Sequence, residues 1–349
     1  MKAAIGIYVH HHGSGHWMRA LQLAAAIKDR RVLLIGSNLK DRDILGIENA
    51  SLVHLPMDTL EEDEGPLAKS DPPAAFHYAP LGIKGIRARA AILAELFKVN
   101  YPMLLVVDVS VEVTLFARLC GVPTVVIMQH GIRDDIAHQM AYQSAELILA
   151  PFNQAMYMGK ETPMFHKTIF AGGFSRFDNI PEREYKKNSI AVMIGKGGSS
   201  IKGETIIKIA RQLTKCNFHV IGLDKSESTL ANISWHGAVE NPSELLLSCE
   251  IIIGNTGHNT VMEVAALGRR FIGVPEDRPF CEQEQKAEAI SNRKGIRIIG
   301  IKEFEKQDWP FLIKLLQQEN VDWDGIINPG AIKAMVAAIT DQACKIFGH

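Results

Sequence analysis

Cysteine is scarce in this chain. The five cysteines in 349 residues, Cys120, Cys216, Cys249, Cys281 and Cys344, are odd in number, scattered and without C-x-x-C spacing. That excludes a disulfide framework and a zinc site as organising principles, and reduced thiols point to a cytoplasmic protein. Long apolar runs are missing too: none reaches about 18 residues, so no segment reads as membrane-spanning. There is no Lys/Arg block. With 38 basic and 39 acidic residues the formal net charge is −1, and a nucleic acid held by bulk electrostatics is not expected. The opening MKAAIGIYVHHH has one basic residue and no A-x-A-type cleavage site, so it reads as a strand and not a signal peptide.

Hydrophobic residues make up 47% and charged residues 22%, as in a globular protein. The length exceeds one ordinary core and implies two domains of about 150 residues each. Doubly apolar strands at 3–9, 31–37, 51–56, 103–109 and 123–129 alternate with helical periodicity after residue 17, at 86–100 and up to Gly121. The pattern restarts beyond Pro181, with strands at 189–195, 217–223, 232–239, 251–255 and 270–275, and a helix at 260–268. This is the signature of parallel sheets with helices on both faces. The expected fold is α/β, two Rossmann-like domains facing each other across a cleft. An N-terminal acceptor-binding domain takes 1–175, a C-terminal donor-binding domain takes 176–328, and the helix of 329–349 packs back toward the first. The glycine-rich and then charged stretch 171–188 is the join.

Two glycine-rich turns follow strands in the second half: Gly195, Gly197, Gly198, Ser199 and Ser200, then Gly254 to Thr260. Helix N-termini at strand carboxyl ends present free N–H groups to anions, so a pair of such cradles suits a diphosphate; tight turns are the plain alternative. Glu263, one turn into a helix opened by Thr260, can point a carboxylate at ribose hydroxyls. Glu282, Gln283, Glu284 and Gln285 begin a further helix and carry natural partners for sugar hydroxyls, although their spacing fits a solvated helix face better.

GNTGHNTVMEVAALGRRFIGVP with EQEQKAEA resembles the donor-binding region of GT-B glycosyltransferases, close to the MurG-like group. MIGKGGSS, WHGAVENPSELLLSCEIIIGN and the N-terminal GSGHWMRALQLA extend the likeness. The resemblance implies a two-domain transferase. Glu263 would hold the ribose. Gly197, Gly198 and Ser199, with Gly257, His258, Asn259 and Thr260, would hold the diphosphate. Backbone near Ala238 and Val239 would read the base edge, most simply uracil, and Glu284 and Gln285 would meet the donor sugar. The chain has EQEQ where that group often shows a DxQQ-like pattern. The signature also occurs in UDP-sugar hydrolases.

The stretch HHHGSGHWMR at 10–19 has four readings. A tag is disfavoured by the strand that precedes it. A metal site needs a third well-spaced ligand with an open position; His10, His12 and His16 could cluster, but strand alternation splits neighbouring histidines to opposite faces. A dinucleotide loop would want a third glycine after Gly13 and Gly15, and an acid after the second strand where Ser37 and Asn38 stand. The fourth reading is catalytic: His16 opens a helix whose N-terminus disfavours the imidazolium and keeps the base-competent form. Asp108, at a strand end, is its orienter or substitute. His12, Ser14, Arg19, His130 and Arg133 are candidates for the acceptor side of the cleft, with loop caps and salt bridges the plain alternative. The loop 60–85 reads first as an excursion, then as an acceptor lid or a peripheral membrane contact.

The expected activity is an inverting transfer from a UDP-linked sugar to an acceptor hydroxyl, lipid-linked, polysaccharide or small, with no metal or other cofactor. A UDP-sugar hydrolase, a 2-epimerase and a non-catalytic nucleotide-sugar sensor are the alternatives.

Overall fold

The computed structural model describes residues 2–11, 15–40, 42–61, 72–159, 163–181, 183–195, 197–224 and 230–348. The first half runs β1 (Ala4–Val9), α1 (Gly15–Ala26), β2 (Val32–Gly36), β3 (Ala50–His54), α2 (Lys84–Asn100), β4 (Met103–Asp108), α3 (Val111–Leu119), β5 (Thr124–Ile127), α4 (Ile136–Ser144), β6 (Leu147–Ala150) and β7 (Thr168–Phe170). The second half runs β8 (Lys186–Met193), α5 (Gly203–Gln212), β9 (Asn217–Ile221), β10 (Ile233–Gly237), α6 (Ser243–Ser248), β11 (Cys249–Asn255), α7 (His258–Ala266), β12 (Arg270–Val274), α8 (Glu282–Ile290), β13 (Ile296–Ile298), α9 (Ile301–Phe304) and α10 (Trp309–Gln317). The last helix, α11 (Ala331–Phe347), closes the chain.

Seven strands form one sheet in the order β3-β2-β1-β4-β5-β6-β7, and six form the other in the order β10-β9-β8-β11-β12-β13. All the pairings are parallel. Both sheets therefore reverse their strand order beside the first strand, at β1/β4 and at β8/β11. Ligands of open α/β sheets bind outside the carboxyl ends of strands at such a point.

Sequence periodicity explains most of the elements. Every residue of β1, β4 and β11 is buried, as a strand covered on both faces requires. Ser110 caps α3 by accepting from the Val113 amide, and Asp135 caps α4 by accepting from the His138 amide, which satisfies otherwise orphaned donors. The periodicity passes over β6, β7 and β13, which are short, and puts the start of α7 two residues late.

The chain crosses between the domains twice, and the crossings are bonded to each other. Gly173 pairs with Ile327 in an isolated parallel bridge, and Asn328 donates to the Ala171 carbonyl at 2.7 Å. A side chain at Gly172, where φ is +87°, would lie 2.5 Å from the Asn328 Cβ. α11 then returns to the first domain, where Ala331, Met335, Ile339 and Ala343 join the core of α1, β1 and β2. A second core is shared: Val126, Tyr142 and Phe152 of the first half pack with Met193, Ile252 and Met262 of the second.

Candidate active site

β1 and β4 are neighbours, so the segments leaving their carboxyl ends lie side by side. His16 stands on the first and Asp108 on the second. His16 Nδ1 is 2.8 Å from Asp108 Oδ2, and Arg19 donates to Oδ1 at 3.2 Å. Gln129, after β5, has its amide 3.5 Å from both His16 and Asp108. Asp108 is 1% exposed. Burial pushes its carboxyl up, but the Arg19 guanidinium and His16 outweigh this and hold it down at about 2. An ionised Asp108 accepts a hydrogen bond from His16 Nδ1–H, which leaves the Nε2 lone pair of His16 as a base. The next residue, Val109, has φ +68°. A β-branched side chain in the left-handed region costs about 1–2 kcal/mol.

The C-terminal domain brings the opening of α7 to the same place. A side chain at Gly15 would lie 3.0 Å from the Asn259 amide nitrogen. α7 has no side-chain cap on its first turn, so its orphan amides are open to an anion. Asn255 shapes the turn, accepting from the Gly257 amide at 3.0 Å and the Thr260 hydroxyl at 3.1 Å. Glu263, one turn on, is buried and accepts from Arg176 at 2.9 Å. Burial raises its carboxyl above the usual range, and Arg176 works against this.

Other expected ligands have prior commitments. The Ser199 hydroxyl donates to Glu276 at 2.6 Å, and the Gly197 carbonyl accepts from Arg278 at 2.7 Å. Arg278, on the loop after β12, is a cation at the glycine turn that motif reasoning missed. Ala238 and Val239 are exposed just past the end of β10, which stops at Gly237. Gln285 accepts from the Gly131 amide of the other domain at 3.1 Å, whereas Glu284 is exposed and lies about 100° further round the helix. Of the acceptor-side candidates, Arg19 is buried against Asp108 and not on the surface. His130 is buried with its ring 3.9 Å from that of Phe152. His12 and Ser14 lie outside the described residues. His10 stacks beside His11 at 4.8 Å and sits 5.7 Å from the His16 ring.

The two domains are latched by residues that carry no motif. Phe280 and Cys281 are consecutive left-handed residues, with φ of 63° and 52°. The Phe280 carbonyl accepts from the Ile132 amide at 2.7 Å, and its ring lies 4.9 Å under the Arg133 guanidinium and near His77 and His138. Gly131 has φ +115°, and a Cβ there would fall 2.7 Å from the Phe280 carbonyl oxygen. Gly131→Ala is therefore expected to open this seam at a cost of about 1–2 kcal/mol. A lower urea midpoint would show it; an unchanged midpoint would mean that the seam adjusts freely.

His77, Asp135 and His138 have the spacing of a metal site. The hydrogen bonds oppose that use. Arg133 donates to His138 Nε2 at 2.9 Å, so Nδ1 carries the proton that it donates to Asp135 at 2.6 Å, and the ring has no lone pair left. Burial holds His138 down at about 4, with Asp135 opposing and Arg133 adding to the effect. Beside this relay a cavity of about 660 Å³ opens between the domains, walled by Ile132, Ile136 and Phe280.

Residues 189–319 match the glycosyltransferase family 28 C-terminal domain. The chain is similar to UDP-N-acetylglucosamine--N-acetylmuramyl-(pentapeptide) pyrophosphoryl-undecaprenol N-acetylglucosamine transferases. That of Clostridium perfringens is 22% identical over 219 residues, which cover 59% of this chain and 57% of the relative. That of a Sulfurihydrogenibium species is 26% identical over 175 residues, 48% of this chain and 49% of the relative. The matches thus span about half the length of these curated relatives. Among solved structures, MurG of Acinetobacter baumannii superposes with a TM-score of 0.67 at 14% identity, covering 98% of this chain and 100% of that one. A Phytolacca americana protein complexed with UDP-2-fluoro-glucose and pterostilbene gives 0.63 at 14% identity, over 98% and 94%. No helix among the described residues is long and apolar enough to cross a membrane. Residues 189–319 thus match a glycosyltransferase family 28 C-terminal domain, and the chain as a whole shares the two-domain GT-B fold of MurG.

Proposed function

We propose that this protein is a glycosyltransferase that moves a sugar from a UDP-linked donor to an acceptor hydroxyl with inversion. One observation carries the proposal: the Asp108–His16 pair of one domain faces the uncapped N-terminus of α7 in the other, with Gly15 against Asn259. A base and an anion cradle thus stand across one seam. The relatives named for UDP-N-acetylglucosamine transfer support the donor class.

In this scheme the diphosphate lies at the amides of His258, Asn259 and Thr260, with Arg278 beside the glycine turn, and Glu263 takes the ribose. The acceptor enters by the 660 Å³ cavity, along the loop that joins it to Gln129. His16 Nε2 removes the acceptor proton as the oxygen attacks the anomeric carbon. The carbon–oxygen bond to the diphosphate breaks on the opposite face, and the released charge falls on amides already aimed at it. Protein groups supply the positive charge, so the reaction is proposed to need no metal.

The direct test is UDP release from a panel of UDP-sugars, with and without lipid-linked and soluble acceptors, in excess EDTA. Release that depends on acceptor and survives EDTA is expected. Equal release without acceptor would make the protein a hydrolase, and loss in EDTA would remove the metal-free mechanism.

A further inference from the structure

One buried charge at the seam has no role in this scheme. Lys286 lies on the inner face of α8 and is 0% exposed. Its Nζ is 2.8 Å from Nδ1 of His258, the first residue of α7, and 5.8 Å from the centre of the Phe152 ring. The groups that act on it or share its pocket come from four elements. They are His258 on α7, His16 and Arg19 on α1, His130 and Arg133 on the segment after β5, and Glu282 one turn earlier on α8. Glu282 leans instead toward Arg133, 3.9 Å away. Asp108 has its two oxygens on His16 and Arg19. Among the described residues no carboxylate lies within ion-pair distance of Lys286, and the pocket holds an excess of positive and basic groups.

A buried ammonium without a counter-ion is strongly disfavoured. Burial pushes Lys286 down to about 7, against the pull of Glu282 and with a contribution from Arg19. Burial, followed by Lys286, keeps His258 well below its usual value. The first turn of α7, which has no side-chain cap, lies beside Lys286 and offers free amides to an anion.

We propose that Lys286 is the buried counter-charge of the donor diphosphate, a positioning residue that takes up a proton when the donor binds and acts through His258. The proposal rests on the donor-site reading. A charged Lys286 donates to His258 Nδ1, so the other ring nitrogen carries the proton and becomes a donor at the cradle. A neutral Lys286 can accept from Nδ1–H, and then the other nitrogen is an acceptor that repels phosphate. The proton comes from solvent on binding and returns to it when the nucleotide leaves.

The test is calorimetry of UDP-N-acetylglucosamine binding in two buffers of different ionisation enthalpy. The diphosphate of this ligand has no proton of its own to exchange near neutrality. The wild-type protein is expected to take up about one proton at pH 8, falling toward none at pH 6, where Lys286 is already charged. Lys286→Met should bind roughly 10- to 100-fold more weakly, with no uptake. It should also melt above the wild type when empty. The folded protein holds Lys286 neutral over a range where the unfolded chain keeps it charged, so this gain is full below pH 7 and shrinks toward pH 10. Wild-type binding with no buffer dependence at pH 8, or uptake that persists in Lys286→Met, overturns the proposal and leaves the donor site standing. If the wild type binds no UDP-sugar, the donor site itself is wrong, and this proposal falls with it.

Discussion

Replacing His16 by alanine is expected to lower kcat by about 10²- to 10⁴-fold while UDP affinity stays nearly unchanged. The separation follows from the geometry: the hydrogen-bond partner of His16 is Asp108 of its own domain, whereas the proposed diphosphate site is made of α7 backbone amides. Asp108→Asn should fall in the same range for a different reason. The new amide nitrogen would donate to Nδ1 and force the imidazole proton onto Nε2, the atom that must accept. Initial rates at saturating donor and acceptor, together with UDP binding by calorimetry, check both. A His16→Ala protein within a few-fold of wild-type kcat would place the base elsewhere. The same pair bears on acid stability. Because Asp108 titrates at about 2 in the folded protein, its contribution is fully present above the ordinary carboxyl value near 3.9 and is lost as pH falls through 2.

Glu263→Ala is expected to weaken UDP binding by about 10- to 100-fold, the worth of one to two hydrogen bonds from ribose hydroxyls to a carboxylate. The thermal shift that UDP gives the wild type should then nearly vanish. Glu263 is already paired with Arg176, which also donates to the Glu240 carbonyl at 3.1 Å. Arg176→Met is therefore the control: it removes the clamp and leaves the carboxylate. If both variants lose UDP equally, Arg176 is part of the donor site. If neither does, the ribose lies elsewhere.

Local pattern made the two α/β halves legible, because strands covered on both faces read as unbroken apolar runs. The glycine turns and His16 were visible for the same reason: each follows such a run. The pairing of His16 with Asp108, 92 positions apart, depends on the sheet order that sets β1 beside β4. Lys286 is hidden inside EQEQKAEA, a run that reads as a wet helix face by composition. Its neighbours show the missed signal: Gln283, Lys286, Ala287 and Ile290 follow i, i+3, i+4, i+7 and are the buried residues of α8. Val109, Phe280 and Cys281 had no signal at all. Their left-handed backbones are imposed by tertiary contacts, and no glycine or asparagine marks them.

The return of α11 fixes an order of events during synthesis. Domains tend to fold as they leave the ribosome, the N-terminal one first. Here the first domain emerges early, yet Ala331, Met335, Ile339 and Ala343, which complete its core, are made only after the whole second domain. The face of α1 and β1 that they cover stays bare through that interval. The nascent first domain thus exposes apolar surface of the kind chaperones bind until α11 arrives, and a ribosome stalled in the linker between α10 and α11 would hold a finished second domain beside an unfinished first.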